Sequence, residues 1–242
     1  MCLASQVKAG HRVTVFSYAP LQGLPSNVEN EDAEATLPLA TARLLRHFRQ
    51  PPNSNWHLLQ TADLFRIRLQ RLGRGLWLDN DVYLLRALEI DPTRPYCAWE
   101  SRKYIGNAVL YLPKSHPIVE GYEKVYDSYD LMPDWLTMKL RARRAWWNFR
   151  RVIYAPPDLS VMMYGPLALT ALAKRHGCEA MAMNKKSFYA HGREFFYPCD
   201  VAGIVNDPKV FGIHVKRKLH EVDPPRSGSF HEWARRNVEG LY

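Results

Sequence analysis

A run of large apolar residues that ends in two carboxylates constrains the fold of this chain more than any other feature. Leu76-Trp77-Leu78 has the character of a short buried strand, and Asp79 and Asp81 follow it two positions apart. Because side chains two apart leave the same face of a strand, we expect these carboxylates to lie side by side at its carboxyl end. Open α/β sheets bind their ligands at that end.

Two adjacent carboxylates repel each other and lose solvation unless a cation lies between them. Oxygen ligands of this kind suit Mg²⁺ or Mn²⁺, which commonly bridge to phosphates. The pattern therefore predicts a metal–diphosphate site at Asp79 and Asp81. The alternative is that both residues only cap a turn, because an Asp-x-Asp pattern also occurs by chance.

The segments around this run predict a layered α/β domain in which strands alternate with helices. Thr61 is the predicted cap of a helix that continues to Leu72, and Gly73 and Gly75 admit the tight turn that follows. The other predicted helices cover 2–9 and 32–48 or begin at His116, Leu136, Gly165 and Phe230, and the other predicted strands are 11–18, 96–99, 108–112 and 212–215.

The composition limits the classes of protein to which this chain can belong. A chain of 242 residues with 47% hydrophobic residues fits a globular protein, and we predict one domain over residues 1–242. No apolar run is long enough to span a membrane, Met1–Gln6 does not have the pattern of a signal peptide, and the four cysteines are scattered. We therefore expect a cytoplasmic protein with reduced thiols. The net charge of +9 favours anionic partners without choosing among them.

Several segments in order carry a resemblance to a known family. Thr61–Arg66 followed by Gly73–Asp81 resembles the sugar-binding D-x-D region of GT-A-fold glycosyltransferases. The similar members are bacterial capsular-polysaccharide-type transferases, α-1,4-galactosyltransferases and yeast initiating mannosyltransferases. Weaker matches follow in the family's order at Ile105–Val109, Tyr164–Thr170, Phe196–Pro198 and Gly212–His214.

The resemblance implies a role for individual residues. It implies that Asp81 ligates Mn²⁺ or Mg²⁺, that Asp79 helps to hold the metal and touches the nucleotide or sugar, and that His214 reaches the metal or diphosphate. Asp63 is then expected to accept hydrogen bonds from the donor sugar. The same reasoning predicts that Arg66 binds the sugar or positions Asp63, and that Asn107 lines the sugar pocket. Each has a plainer alternative: an exposed helix ion pair for Asp63 and Arg66, a loop contact for Asn107, and a structural histidine for His214.

The fold and activity implied are those of the family. The fold is a Rossmann-like mixed, mainly parallel sheet flanked by helices, and the activity is transfer of a sugar from a nucleotide-sugar to a saccharide or lipid-linked acceptor in surface polysaccharide synthesis. The similar enzymes retain the anomeric configuration. No side chain in this sequence stands out as a nucleophile, so we expect attack from the same face as the leaving group.

The chain departs from the family pattern at two places. The family opens with a strand that helps to bind the nucleotide base, whereas Met1–Gly10 aligns best with the helix after it, so we expect an N-terminally truncated fold. Arg74 stands where the family has the first Gly of a pair. We predict that Gly75, and not Arg74, carries the positive φ angle.

A basic and aromatic segment, Lys139–Arg151, contains six basic residues, three aromatic ones and no acid. Its side chains suit peripheral contact with an anionic membrane at its inner face. They also suit nucleic acid, or a solvated helix whose Trp side chains pack inward. Nucleic-acid binding is the less favoured function, because it leaves Asp79 and Asp81 without a role. A further alternative is a degenerate glycosyltransferase-fold protein that binds without catalysis; a metal phosphohydrolase needs more ligands than the sequence offers near Asp79.

Overall fold

The fold is defined by a computed structural model that describes residues 1–42, 45, 47–50, 54–128, 131–215 and 224–241. Within these residues the strands are β1 (Val13–Ser17), β2 (Val28–Asp32), β3 (Trp77–Leu78), β4 (Val82–Leu84), β5 (Tyr96–Trp99), β6 (Ile105–Tyr111) and β7 (Gly212–His214). The helices are α1 (Cys2–Lys8), α2 (Leu39–Ala42), α3 (Trp56–Leu72), α4 (Pro117–Tyr126), α5 (Met138–Phe149), α6 (Pro166–Arg175), α7 (Val201–Asn206) and α8 (Phe230–Asn237). None of the described helices combines the length and apolar character needed to cross a bilayer.

The described strands form three small sheets rather than one mainly parallel sheet. β1 and β2 are parallel, whereas β3 and β5 both pair antiparallel with β6, and β4 pairs antiparallel with β7. The mixed α/β class is confirmed, but the expectation of a mainly parallel sheet is wrong for the described strands. The short link between β5 and β6 explains part of this, because a parallel pair needs a much longer crossover.

The largest deviation from the predicted elements lies between residues 28 and 48. The segment read as one helix from Asp32 instead contains the end of β2, a 3-10 turn at Ala33–Ala35 and the short helix α2. The Asp32 side chain accepts a hydrogen bond from the Glu34 N–H, which favours the turn, and Pro38 interrupts any continuous helix. Positions 43, 44 and 46 of the predicted helix lie outside the described residues.

Two other boundaries differ from prediction. α3 begins at Trp56 after its cap Asn55, six residues before the predicted cap Thr61, so Thr61 lies inside the helix. The basic helix α5 is shorter than the predicted 136–152, because Thr137 caps it through a hydrogen bond from the Leu140 N–H.

The turn from α3 into β3 has the predicted backbone. Gly73 ends the helix in the left-handed conformation with φ of 68°, and Gly75 has φ of 97°. Arg74 is not among the described residues with positive φ, so the prediction for Gly75 is confirmed. The Gln70 side chain holds this turn in place, because it donates to the Gly75 carbonyl at 3.1 Å and accepts from the Leu112 N–H at 2.8 Å.

The hydrophobic core fixes the strands that flank the acidic turn. One buried cluster packs α3, α4 and α6 against β5 and β6, and a second gathers Tyr83, Phe195 and Phe230 around β4 and β7. α1 is tied to β4 by side chains: the Ser5 Oγ accepts from the Leu84 N–H at 2.9 Å, and the Gln6 amide donates to the Val82 carbonyl at 3.2 Å. The start of β4 is therefore held by α1 on one side and by β7 on the other.

Candidate metal centre and buried polar cluster

Asp79 and Asp81 lie in the turn that joins β3 to β4. The Val82 N–H donates to the Asp79 carbonyl at 2.9 Å and closes this turn, while the Asp79 N–H donates to the Ala108 carbonyl of β6 at 2.8 Å. The Val215 N–H donates to the Asp81 carbonyl at 2.9 Å, which fastens the turn to the end of β7. The carboxylates do follow the end of β3, but they belong to a turn and not to one continuous strand face.

Asp79, Asp81 and His214 converge at this turn. Each offers one ligand atom, and the three atoms lie within 4.8 Å of one another. Ligands around one divalent ion, at about 2.1 Å from it, lie up to about 4.2 Å apart, so a small contraction suffices to seat the ion. Two carboxylates and an imidazole are ligands that divalent ions accept, without selecting Mn²⁺ over Mg²⁺. The group of three predicted ligands is therefore able to hold a metal.

His214 reaches this group because of the strand register. His214 of β7 lies opposite Val82 of β4, and Val82 directly follows Asp81 in the chain. Its Nε2 lies 3.4 Å from the Asp81 Oδ1, an atom that is buried and accepts no hydrogen bond of normal geometry from the described residues. Burial acts to lower the pKa of His214, but the neighbouring Asp81 and Asp79 carboxylates outweigh it, so the net shift of this pKa is upward. A buried acidic oxygen without a hydrogen-bond donor is a suitable ligand for a cation.

A second cluster of polar side chains is buried next to this turn. Asp63 and Arg66 of α3 are each 6% exposed, so the alternative of an exposed helix ion pair is wrong. The Arg66 Nη2 lies 3.6 Å from the Asp63 Oδ1, and the Asn107 amide donates to that same oxygen at 2.8 Å. Arg66 also donates to the Ala62 and Asn107 carbonyls. Asn107 is therefore a partner of a buried carboxylate and not a loop cap.

Arg66 links the metal-capable group to the buried polar cluster. Its Nη1 lies 3.3 Å from the Asp79 Oδ1, and its guanidinium lies over the Trp77 ring at 5.1 Å. The Trp77 Nε1 donates to that same Asp79 oxygen at 2.6 Å, which leaves Oδ2 for a metal. The structure thus brings together all six residues predicted from the sequence; their roles toward a ligand stay predictions.

Burial sets the protonation of this cluster. It raises the pKa of Asp63 to about 6, although the Arg66 charge and the Asn107 hydrogen bond act in the opposite direction. Burial also acts to lower the pKa of Arg66, but the charges of Asp79 and Asp63 outweigh it and the net shift is upward. The Arg66 guanidinium therefore lies between the Asp63 and Asp79 side chains, and the raised pKa of Asp63 brings its protonation close to neutral pH.

Gly165 is a site residue that sequence reasoning missed. The sequence places it in the Tyr164–Thr170 match and at the start of α6 without assigning it to the site, yet a Cβ on it would lie 2.6 Å from the Asp63 Oδ2 and 3.0 Å from the Asn107 Nδ2. The Tyr122 hydroxyl donates to the Gly165 carbonyl at 3.1 Å and holds this backbone against the cluster. A glycine directly before a proline gave no sign of such contact. Tyr189 was also missed; its ring lies 5.3 Å from the His214 ring.

A cavity of about 450 Å³ adjoins the acidic turn. Its walls are formed by α1, β1, the middle of α3 and the segment from Arg74 to Leu78, and Asn80 contributes to its lining. Neither Asp79 nor Asp81 lines it, so the cavity lies beside the metal-capable group and does not contain it. Phe16, Phe65 and Trp77 are neighbouring rings along it, with centroids 5.7 Å and 6.1 Å apart.

Comparison with protein-family models, with curated proteins and with solved structures gives no match to this chain. The resemblance of its motifs to GT-A glycosyltransferases is thus neither supported nor contradicted by these comparisons. Any conclusion about function therefore depends on the geometry and chemistry of the site.

Proposed function

We propose that this protein is a metal-dependent glycosyltransferase that moves a sugar from a nucleotide-sugar to a saccharide or lipid-linked acceptor. The observation that supports it most is the double role of Asp79. This carboxylate belongs to the metal-capable group with Asp81 and His214, and it also pairs with the buried Arg66 at 3.3 Å. A site for a divalent ion thus borders a rigid polar cluster with donors and acceptors suited to sugar hydroxyls.

The residues of the site have separate roles in such a reaction. A bound Mn²⁺ or Mg²⁺ would neutralise the charge that develops on the departing nucleoside diphosphate. Asp79 and Asp81, whose side chains are 26% and 30% exposed, face the solvent side of the cluster and are accessible to donor and metal. Arg66 and Asn107 orient Asp79 and Asp63, so that the polar groups are already in position when the donor binds.

In this proposal Asp63 mainly positions other residues, and direct contact with the sugar is its lesser role. Its side chain is 8% exposed, and one of its oxygens already accepts from Asn107. We therefore assign it mainly to positioning Asn107 and Arg66, with the remaining surface available to one donor hydroxyl. The resemblance implies retention at the anomeric carbon, which NMR of the product measures.

The test combines metal binding with turnover. Mn²⁺ binding is measured by titration calorimetry, and release of nucleoside diphosphate is followed with a panel of nucleotide-sugars. Asp81→Asn is expected to weaken Mn²⁺ binding by more than about tenfold and to abolish turnover, because it removes a charged ligand. The control is Asp134→Asn, since Asp134 is exposed and pairs only with Arg175 in the described residues.

Unchanged Mn²⁺ affinity in the Asp81→Asn variant would refute the metal role. Metal binding that depends on Asp81 but is accompanied by no turnover of any nucleotide-sugar would refute the transferase while leaving the metal centre intact.

The second candidate is a protein that binds a nucleotide-sugar without turnover. One observation favours it: β1 and β3 belong to separate sheets, although residues of both line the cavity. A donor bound where no continuous sheet forms the wall would be poorly shielded from water, which suits binding without turnover. Stoichiometric, metal-dependent binding without product at long incubation would favour this candidate over the enzyme.

A further inference from the structure

The outward face of α5 carries an apolar stripe that the proposed function does not use. Met138, Ala142, Ala145 and Phe149 recur at spacings of four, three and four residues, which places them on one side of the helix. Trp146 lies beside this line. Met138 is 80% exposed, Phe149 78% and Trp146 58%. Large apolar side chains clustered in this way on a surface usually mark a contact site.

The opposite face of α5 is the one that packs on the protein. Leu140 is buried, and the Trp147 ring lies 5.1 Å from the Tyr154 ring. Arg143 donates to the Leu159 carbonyl at 2.7 Å and closes the helix against the following segment. These contacts set the rotation of α5, so the alternative in which its Trp side chains pack inward is wrong for Trp146.

Basic side chains flank the stripe on both sides. The basic residues of this segment are Lys139, Arg141, Arg143, Arg144, Arg150 and Arg151, and no acidic residue lies among them. Within the part of the chain that the structure describes, Lys139, Arg144, Arg150 and Arg151 form no ion pair. Their charge is therefore available to an anionic surface.

The arrangement of the rings favours lipid over nucleic acid. Trp146 and Phe149 pack on each other with centroids 5.9 Å apart, and the Arg150 guanidinium covers the Trp146 ring at 5.6 Å. These contacts cover part of the aromatic surface on which a base would stack. Ile153, which is 75% exposed, extends the apolar surface with a side chain that cannot stack.

We propose that α5 lies in the headgroup region of an anionic membrane, with Trp146, Phe149 and Ile153 inserted at the acyl boundary and the flanking Lys and Arg side chains on lipid phosphates. This inference does not depend on the proposed transferase activity. It assigns the membrane contact to one face of one helix, which makes it testable with substitutions at exposed positions.

The test is co-sedimentation of the full chain with vesicles of phosphatidylglycerol and phosphatidylcholine, against vesicles of phosphatidylcholine alone. We expect binding only to the anionic vesicles, and binding that falls as salt rises. The double variant Trp146→Ala with Phe149→Ala is expected to lower the partition coefficient by about tenfold or more through lost apolar insertion. Arg144→Glu with Arg150→Glu is expected to abolish binding at low salt.

The matched control is Leu58→Ala with Leu72→Ala, two exposed apolar residues on α3. This variant should bind vesicles as the wild type does, and circular dichroism establishes that every variant remains folded. Failure of the wild type to bind anionic vesicles at low salt would overturn the proposal. So would unchanged binding of the Trp146/Phe149 variant, or tighter binding of a single-stranded oligonucleotide than of the vesicles.

Discussion

Replacement of Arg66 by Met tests whether the buried guanidinium holds the site together. Arg66 lies 3.3 Å from one Asp79 oxygen and 3.6 Å from one Asp63 oxygen. At an effective dielectric constant of about 20, each pair attracts by roughly 5 kcal/mol before the desolvation of the groups is subtracted. Removing one partner of a buried pair costs about 3–5 kcal/mol, because the remaining charge is left uncompensated. Since Asp79 is partly exposed, we expect Arg66→Met to lower the free energy of unfolding by about 3 kcal/mol at pH 8.

The loss of stability should depend on pH with a definite sign. Burial raises the pKa of Asp63 to about 6 in the folded protein. An acid with a raised folded pKa takes up its proton more readily when folded, so its ionisation lowers stability as pH rises from its unfolded value through the folded one. Without Arg66 this pKa should rise further. The Arg66→Met variant should therefore lose less stability at pH 5 than at pH 8.

Urea unfolding at the two pH values measures both effects, with the transition followed by circular dichroism. The control is Arg68→Met on the same helix, where the side chain is 30% exposed and pairs with Glu123 and Asp127. Its expected cost is below about 1 kcal/mol, as for other partly exposed pairs. The reasoning fails if Arg66→Met costs no more than Arg68→Met at pH 8, or if its cost is the same at pH 5.

Three further substitutions probe the backbone around the site. Gly75→Ala should destabilise the fold by about 1–2 kcal/mol in urea, because Gly75 has φ of 97° and no atom lies near enough to clash, so only backbone strain is added; no change would mean the turn relaxes. Gly165→Ala should weaken nucleotide-sugar binding by about tenfold or more in calorimetry, because the new Cβ displaces Asp63 and Asn107. Unchanged affinity would mean that this cluster does not contribute to ligand binding. Thr170→Val should cost about 1–3 kcal/mol in urea, because the Ile105 N–H loses its 2.8 Å acceptor; a neutral result would mean that the amide finds another partner.

The sequence predicted the site better than it predicted the sheets. The glycine turn, the short strand β3 and the two carboxylates are local in sequence, so their relation follows from a few neighbouring dihedral angles, although β3 is half-buried and not buried as predicted. The approach of His214 to Asp81 depends instead on the register of β4 against β7, and β4 itself was not predicted. That contact was inferred through a family resemblance, since no local pattern near His214 points to residue 81.

Contacts between distant segments explain most of what was missed. Gly165 reaches Asp63 only because α6 packs against β6 and α4, and α4 packs against α3, an arrangement that no residue near Pro166 encodes. Strand direction has the same origin: β5 and β6 each look like a strand in either a parallel or an antiparallel sheet, and the short link between them decides. The burial of the Asp63–Arg66 pair likewise depends on neighbours far along the chain.

The separation of β1 and β3 into two sheets bears on how this protein behaves in concentrated solution. Each of these strands pairs on one side only within the described residues, and both line one cavity. Backbone groups along an unpaired edge form a template for any extended peptide. We expect self-association that grows with concentration and is suppressed by an added β-forming peptide that fills the gap. Sedimentation velocity over a dilution series measures this, and a monomer at every concentration would show that these edges are well protected.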